Sequence, residues 1–389
     1  MKFHIERNLL LAGMQQVSGV VERRNTMPIL SHVFISATTS LSEGKQEGTL
    51  AFFATDLETG VRCRYPAHVS IPGKMTAPAR KFFEIVRELP EGIVKVEQDD
   101  KHWISIESGN AIFKIAGLPP DEYPSLSLME EEGDVKIPID PEMLSRLIRK
   151  TVFAAGENDP RYILNGLLLN IRKVSDTRNA IRMVGTDGHR LAMAEDTIKR
   201  PPEGPLEESV IIPRKAVVEM KRLLEETSSE KSEGGGPLLT LGKGVLTFRQ
   251  GTTLLASRLV HGNYPNYQQV IPRENEKKVS ANKEAIRGAL GRVSLLSDEK
   301  TAIIKVRVEK GEIIFQSSQT ELGEARETVP TSYEGESFST LFSARYLSDL
   351  LAVIDDDDIV FAFKDGASAC LVQETSGRFL SVLMPLQDD

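Results

Sequence analysis

The chain reads as an α+β protein made of three copies of one module, each two helices packed on antiparallel sheet, and three observations predict this. A helix-start signal recurs at Ala77-Pro78-Ala79-Arg80-Lys81, Ile212-Pro213-Arg214-Lys215 and Ser343-Ala344-Arg345-Tyr346, with the aligned arginines Arg80, Arg214 and Arg345 standing 134 and then 131 positions apart. A second apolar pattern of helical spacing precedes each: Leu9, Leu10, Met14 and Val17; Leu144, Leu147, Ile148 and Val152; Ile286, Leu290, Val293 and Leu296. The segments between alternate and are rich in β-branched residues, as half-buried sheet requires. Helices packed on many short strands define the α+β layer arrangement.

Taken in order, Met1-Lys2-Phe3-His4-Ile5-Glu6-Arg7 alternates like an edge strand, and the first helix runs on toward Val20 and Val21. The helix after Ala79 uses Phe83, Ile85, Val86 and Leu89, and Gly92 to Glu97 is a strand. Gly117-Leu118-Pro119-Pro120-Asp121-Glu122-Tyr123-Pro124 closes the first copy, before the acidic linker Glu130-Glu131-Glu132-Gly133-Asp134. In the second copy the later helix carries Val217, Val218, Met220, Leu223 and Leu224, followed by a stretch, 227–236, that is flexible by composition and receives no function. Gly262-Asn263-Tyr264-Pro265-Asn266-Tyr267 closes this copy, before the charged run from Arg273 to Lys278. The third copy adds strands at Ala302 to Val308 and Ile359 to Phe363 around a helix with Leu347, Leu350, Leu351 and Val353. These breaks set the modules at 1–128, 135–262 and 273–389. A chain of 389 residues with 40% hydrophobic content can fill three such cores.

Composition narrows the function classes. No apolar run approaches a membrane span and no signal region follows the first strand, so no membrane is expected. Cys63 and Cys370 lie in opposite end modules at no metal or redox spacing, which reads as reduced and incidental thiols in a cytoplasmic protein. No glycine-rich phosphate loop or Walker-type lysine occurs. Asp187 and His189 flank Gly188, which favours a turn over a metal or catalytic pair, and the remaining histidines are scattered. Asp355-Asp356-Asp357-Asp358 reads as a solvated turn. The reading is therefore non-enzymatic, with no catalytic residues, no metal and no cofactor. The formal net charge of −8 argues against a surface that coats nucleic acid, yet five of the six predicted helices carry more Lys and Arg than Asp and Glu. Helices that face a polyanion while the strands face water would give weak, salt-sensitive binding without base readout.

Several motifs in order extend the argument: Gln15-Gln16-Val17-Ser18-Gly19 with Pro28-Ile29-Leu30; Asp121-Glu122-Tyr123-Pro124; Arg161-Tyr162-Ile163-Leu164-Asn165-Gly166; Thr186-Asp187-Gly188-His189-Arg190-Leu191; Tyr264-Pro265-Asn266-Tyr267 with Ile271-Pro272; Leu296-Ser297-Asp298-Glu299-Lys300; and Val382-Leu383-Met384-Pro385. On this threefold repeat they resemble the bacterial sliding clamp family, the β subunits of the replicative DNA polymerase, over essentially the whole chain. The resemblance implies a head-to-tail homodimer, a closed six-module ring with helices inside, that encircles double-stranded DNA without sequence specificity. It implies partners too: the replicative polymerase, an ATP-dependent clamp loader, and other replication or repair proteins carrying clamp-binding peptides. The alternative is a peptide-binding scaffold that never encloses DNA.

Carried over position by position, the peptide groove would contain Leu164, Thr186, Gly188, His189, Arg190, Leu191, Pro265, Val270, Tyr346, Val382, Leu383, Met384 and Pro385. Phe113 and Ile115 would meet Leu295 and Leu296 of the second chain. Arg24 and Tyr162, with Asn158 beside them, align with family positions that touch DNA, while Ile163 stands where a tyrosine is often found. Arg80, Arg149, Lys150, Arg214 and Lys215 are the lining candidates read from the helices themselves. The chain departs from the family at Gln269, often an arginine, and in its acidic end Gln387-Asp388-Asp389, which would repel acidic peptides or favour basic ones.

Overall fold

A computed structural model describes residues 1–21, 27–42, 45–124, 133, 135–175, 178–204, 209–227, 236–297, 302–319 and 323–386. Arg24, the acidic end 387–389, most of the 227–236 stretch and the Asp298-Glu299-Lys300 part of one motif lie outside the described residues. The first module contains β1 (Lys2–Glu6), α1 (Arg7–Ser18), β2 (His32–Ser42), β3 (Lys45–Thr55), β4 (Thr59–Pro66), β5 (His68–Ile71), β6 (Gly73–Pro78), α2 (Ala79–Glu88), β7 (Ile93–Gln98), β8 (Trp103–Ser108) and β9 (Ala111–Ala116). The central module contains β10 (Val135–Pro138), α3 (Pro141–Thr151), β11 (Gly166–Ser175), β12 (Arg178–Thr186), β13 (Arg190–Ile198), β14 (Ser209–Pro213), α4 (Arg214–Thr227), β15 (Leu238–Leu241), β16 (Val245–Gln250) and β17 (Thr253–Arg258). The third contains β18 (Lys277–Asn282), α5 (Lys283–Val293), β19 (Ile303–Glu309), β20 (Glu312–Gln319), β21 (Gly323–Pro330), β22 (Phe338–Ser343), α6 (Ala344–Leu351), β23 (Asp358–Phe363), β24 (Cys370–Gln373) and β25 (Phe379–Leu383). Apart from β5, each module is one strand–helix–three-strand unit written twice. The threefold repeat read from the sequence thus contains a finer, twofold one.

The chain forms two compact units. In the first (Met1–Pro141, Arg200–Pro205, Lys215–Leu259) the sheets run β5-β1-β7-β8-β9 and β10-β15-β16-β17-β4-β3-β2-β6. In the second (Glu142–Lys199, Leu206–Arg214, Val260–Asp389) they run β14-β11-β12-β13-β25-β24-β23-β18 and β21-β20-β19-β22. Each eight-stranded sheet joins two modules. The central module's β17 pairs with the first module's β4, and the third module's β25 pairs with the central module's β13, both antiparallel. The expected edge strand β1 lies inside its sheet, between β5 and β7, because His68–Ile71 supplies a short strand that covers it.

The helices form because their apolar residues recur at the spacing that lines one face. α1 buries Leu10, Gly13, Met14 and Val17, and α5 buries Ile286, Ala289, Leu290 and Val293. The Asn282 side chain caps α5 by accepting from the Ala285 amide at 3.1 Å. Where the sequence offers apolar doublets, three- and four-residue spacing decides which member is core. Phe82, in step with Ile85 and Val86, is buried and Phe83 is not. Val217, in step with Met220 and Leu224, is buried while Val218 is exposed. Val152 and Leu296 fall just past their helices, in the 3-10 turns Val152–Ala154 and Ser294–Leu296.

Candidate functional site

The turn between β12 and β13 is held by two side chains. Asp187 Oδ1 accepts from the His189 and Arg190 amides, both at 2.9 Å, and Thr186 Oγ1 donates to the Arg190 carbonyl at 2.7 Å. Gly188 adopts φ +86°, a left-handed conformation that glycine tolerates best. A Cβ added there would also meet Arg161 Nη1 at 2.9 Å. Arg161 lies across this turn, donating to the Asp187 carbonyl and pairing with Asp159 at 2.8 Å. The floor beneath is apolar: Leu168, Val184, Leu191, Ile211 and Val382 form one buried cluster, against which Ile163, Tyr264, Tyr267, Ile271 and Ala369 pack partly open. Leu164 and Leu383 are buried beside them, Pro265 is exposed, and Pro385 is half-buried. Val270 and Met384 remain 49% and 42% exposed at the mouth. The Met384 amide donates to the His189 carbonyl at 2.9 Å, fixing the tail segment against the turn.

Arg190, one of the residues assigned to the groove, is buried beneath it. Its side chain is 6% exposed, paired with Asp187 at 3.0 Å and Asp349 at 2.6 Å. Its guanidinium lies 4.3 Å from the Tyr346 ring and 5.3 Å from the Phe153 ring. The His189 ring stacks on Tyr346, with centroids 6.5 Å apart. Arg190 therefore positions Tyr346 and His189, and a planar guanidinium suits that sandwich better than an ammonium would. Asp349, Phe153, Asp159 and Arg161 were absent from the sequence-derived set. Asp187 and Arg161 lie within motifs already singled out, but Asp349 and Phe153 gave no signal because only the fold brings them to Arg190.

The same turn occurs at the junction of the first and central modules. Asp56 Oδ1 accepts from the Glu58 and Thr59 amides, Thr55 Oγ1 donates to the Thr59 carbonyl, and Leu57 holds φ +82° where Gly188 has +86°. The Arg258 amide donates to the Glu58 carbonyl as Met384 donates to His189. Tyr123 and Tyr264, each followed by proline, donate to the His32 and Val184 carbonyls, and burial pushes both phenols up. The surroundings differ. Ile29, Leu30, Phe34, Phe53, Tyr123, Leu254 and Ala256 are all buried, with Leu118 partly open against them. The rim there is an exposed Arg258–Glu58 pair instead of Met384 and His189, and Lys215 closes on Asp56. The frame is repeated, but among the described residues the apolar cluster at the second junction has several partly open neighbours where that at the first has Leu118.

Among the lining candidates, Lys150 is corrected. It is 2% exposed, pairing with Glu374 and, at 2.8 Å, with Asp355, and its ammonium lies 5.0 Å from the Phe379 ring. A buried ammonium of this kind cannot reach a phosphate. Arg149 beside it is half-exposed, donating to the Val353 carbonyl and pairing with Asp355 at 2.8 Å. The aspartate run is accordingly an anchor and not merely a solvated turn, since Asp356 also accepts from the Thr375 amide. Burial works to raise the Asp355 carboxyl, but hydrogen bonds from Lys150 and Arg149 outweigh it and hold it below the usual range. Arg80 is exposed beside Glu84, Arg214 lies 3.3 Å from Glu157, and Lys215 is half-exposed on Asp56. Tyr162 and Asn158 are exposed, the latter at φ +59°.

Phe113 and Ile115 lie on β9, which closes one end of the five-stranded sheet and pairs only with β8. Phe113 is 38% exposed and Ile115 half-buried. Leu295 and Leu296 lie in the 3-10 turn after α5, Leu295 at 78% exposed. Among the described residues no group of three or more His, Cys, Asp or Glu could hold a metal ion, and no helix is long and apolar enough to cross a membrane. Burial pushes both thiols, Cys63 and Cys370, up.

Three family models match in succession: DNA polymerase III beta subunit N-terminal domain over residues 1–127, central domain over 138–266 and C-terminal domain over 268–387. The chain is 38% identical to a beta sliding clamp of Caulobacter vibrioides and 34% identical to that of Pseudomonas putida, covering 100% of both sequences in each case. A crystal structure of the DNA polymerase III subunit beta from Pseudomonas aeruginosa superposes with a TM-score of 0.86 at 32% identity, with full coverage of both chains. A DnaN sliding clamp from Bartonella birtlesii bound to griselimycin does so at 0.88 and 31%, again with full coverage. With its three modules and its sequence both matched along their whole length, the chain belongs to the DNA polymerase III beta subunit family, the beta sliding clamps.

Proposed function

We propose that two copies of this chain close head to tail into a ring of six modules that encircles duplex DNA, and that partner proteins dock by a short extended peptide in the groove beside Tyr346. The chain is a non-catalytic DNA sliding clamp and processivity factor. One observation carries the ring. At each junction within the chain, a module's β4-type strand (β4, β13) pairs with the last strand of the next module (β17, β25). The third module's β21 and the first module's β9 are the remaining strands of these two types, and each ends its sheet. A second copy supplies the missing partner for each, and the same operation closes the ring instead of extending it. Phe113 and Ile115 would then meet Leu295 and Leu296 across both closing junctions.

A topological link needs no tight grip, so weak phosphate attraction from Arg80, Arg149, Asn158, Tyr162, Arg214 and Lys215, together with Arg24, suits movement along DNA. The net charge of −8 discourages DNA from the outer surface. Peptide affinity would come from the exposed Val270 and Met384 and the partly open Ile163, Tyr264 and Ile271, supported from beneath by the buried Leu164, Leu191 and Val382, and orientation from the turn Thr186–Leu191. We further take 1–128, 135–262 and 273–389 as the modules, the replicative polymerase and an ATP-dependent loader as partners, and the cytoplasm as the site of action. The test is solution mass and retention on DNA. Light scattering at micromolar concentration should give twice the 43.0 kDa chain, and loaded protein should stay on closed circles and run off once they are cut. A concentration-independent monomer, or equal retention on cut circles, would leave a peptide-binding scaffold that does not enclose DNA.

A further inference from the structure

We infer that the groove continues past Val270 into a polar cleft that binds an acidic segment flanking the docked peptide of a partner protein. This rests on the peptide-docking reading above, and it runs against the preference for basic peptides expected from the acidic end 387–389, which lies outside the described residues. The cleft has a volume of about 510 Å³ and is bounded on one side by the chain from Gln268 to Asn275 and on the other by Lys364, Ser368 and Ala369. Val270 forms part of both the proposed groove wall and this cleft, and Ile271 and Ala369 border it while packing on the apolar cluster under the groove. Val270 therefore lies where the proposed groove and the cleft meet.

The cleft is built, not incidental. The Asn275 side-chain amide donates to the Ala362 and Ala369 carbonyls at 2.8 and 2.9 Å, pinning the 268–275 segment to the β23–β24 hairpin. That hairpin's turn is fixed by Asp365 Oδ1, which accepts from the Ala367 and Ser368 amides at 2.9 and 2.6 Å. Asp365 is thus engaged within its own turn, and a hydrogen bond from the Ser368 side chain, with those from the Ala367 and Ser368 amides, holds it below the usual carboxylate range. Two cations border the space, Arg273 and Lys364, against one carboxylate, Glu274, which meets Lys364 at 3.2 Å with both side chains largely exposed. An exposed pair of this kind is weak and exchanges readily for an incoming carboxylate. Gln268 and Gln269 add exposed amides that can hydrogen-bond a backbone or side chain passing over them.

The experiment uses fluorescein-labelled synthetic peptides and the full-length chain. The core probe contains one glutamine, two leucines and a phenylalanine; two longer probes add Asp-Glu-Asp at one end or the other. Anisotropy titration at low salt should show one of the two extended probes, and only one, binding about three- to tenfold tighter than the core, with the gain lost near 0.5 M salt. Replacing that extension by Lys-Lys-Lys should weaken binding below the core. Arg273→Glu with Lys364→Glu should abolish the gain while leaving core affinity unchanged. Equal affinity of all probes, or a gain that survives the double variant, overturns the inference while the groove stands. Failure of the core probe itself to bind overturns the docking reading instead.

Discussion

Lys150 lies between Glu374 and Asp355 with almost no exposure, and the Glu374 carboxylate also accepts from the Asp355 amide at 2.8 Å. Removing the ammonium strands a buried carboxylate, so Lys150→Ala should cost about 3–5 kcal/mol, read as a lower urea midpoint. Lys150→Met with Glu374→Leu, which removes both charges and keeps the volume, should recover most of it. DNA affinity and its salt dependence should not change in the double variant, which a phosphate-contacting lysine could not satisfy. Asp159 behaves differently because its partner is local: hydrogen bonds from the Arg161 side chain and amide hold its half-buried carboxyl down at about 2. A depressed carboxyl contributes stability above its ordinary value, near 3.8, and loses it as pH falls through the folded value. The difference in melting temperature between wild type and Asp159→Asn should therefore be steady above pH ~5 and shrink between about pH 4 and 2. Lys150 could not be recognised from sequence. Its position in the last turn of α3 looks like that of any solvated helix lysine, and its partner Glu374 is 224 residues away. The Asp159–Arg161 pair was local and legible in principle.

At the scale of elements, the helices were legible because periodicity is a local property, and the errors fell at apolar doublets whose two members fit the period almost equally and at helix ends, where Val20, Val152 and Leu296 lie just beyond. The groove turn was legible as a turn through Asp187-Gly188. Its twin, Thr55-Asp56-Leu57-Glu58-Thr59, was hidden because a leucine holds the left-handed position there. What distinguishes the two junctions is packing, Met384 and His189 against Arg258 and Glu58, and no spacing in the sequence conveys that. The tail is the element on which the groove reading depends. Its β25 pairs with β13 from Arg190 to Ala194, and beyond it the Met384 and Leu386 amides donate to the His189 and Leu341 carbonyls at 2.9 Å. Ending the chain after Leu383 removes those two bonds and the exposed Met384 wall but leaves the sheet pairing whole. Affinity for a core peptide should fall at least tenfold, the order expected for one lost methionine contact, while solution mass and melting temperature stay near wild type. Unchanged affinity would place the peptide elsewhere.

At the scale of the whole molecule, three repeated modules were visible in the spacing of Arg80, Arg214 and Arg345, but the rule that joins them was not, because strand pairing between modules is a long-range property. That rule makes an unusual prediction about stoichiometry. The proposed closing junction is heterologous: one copy gives β9 with Phe113 and Ile115, the other β21 with Leu295 and Leu296 nearby. Phe113→Asp damages only the first surface and Leu296→Asp only the second. In a two-copy ring each variant alone carries the lesion at both junctions, and a carboxylate buried against apolar neighbours without a partner should make each monomeric. Mixed one to one, a chain with intact Leu296 meets a chain with intact Phe113, and one junction is restored while the other carries both lesions. Sedimentation should then show dimers in the mixture that neither variant forms alone. Those dimers, closed at one junction only, should leave circular DNA far faster than wild type. An isologous interface would place a lesion at every contact in the mixture as well, so mixed material that stays monomeric would reject head-to-tail closure.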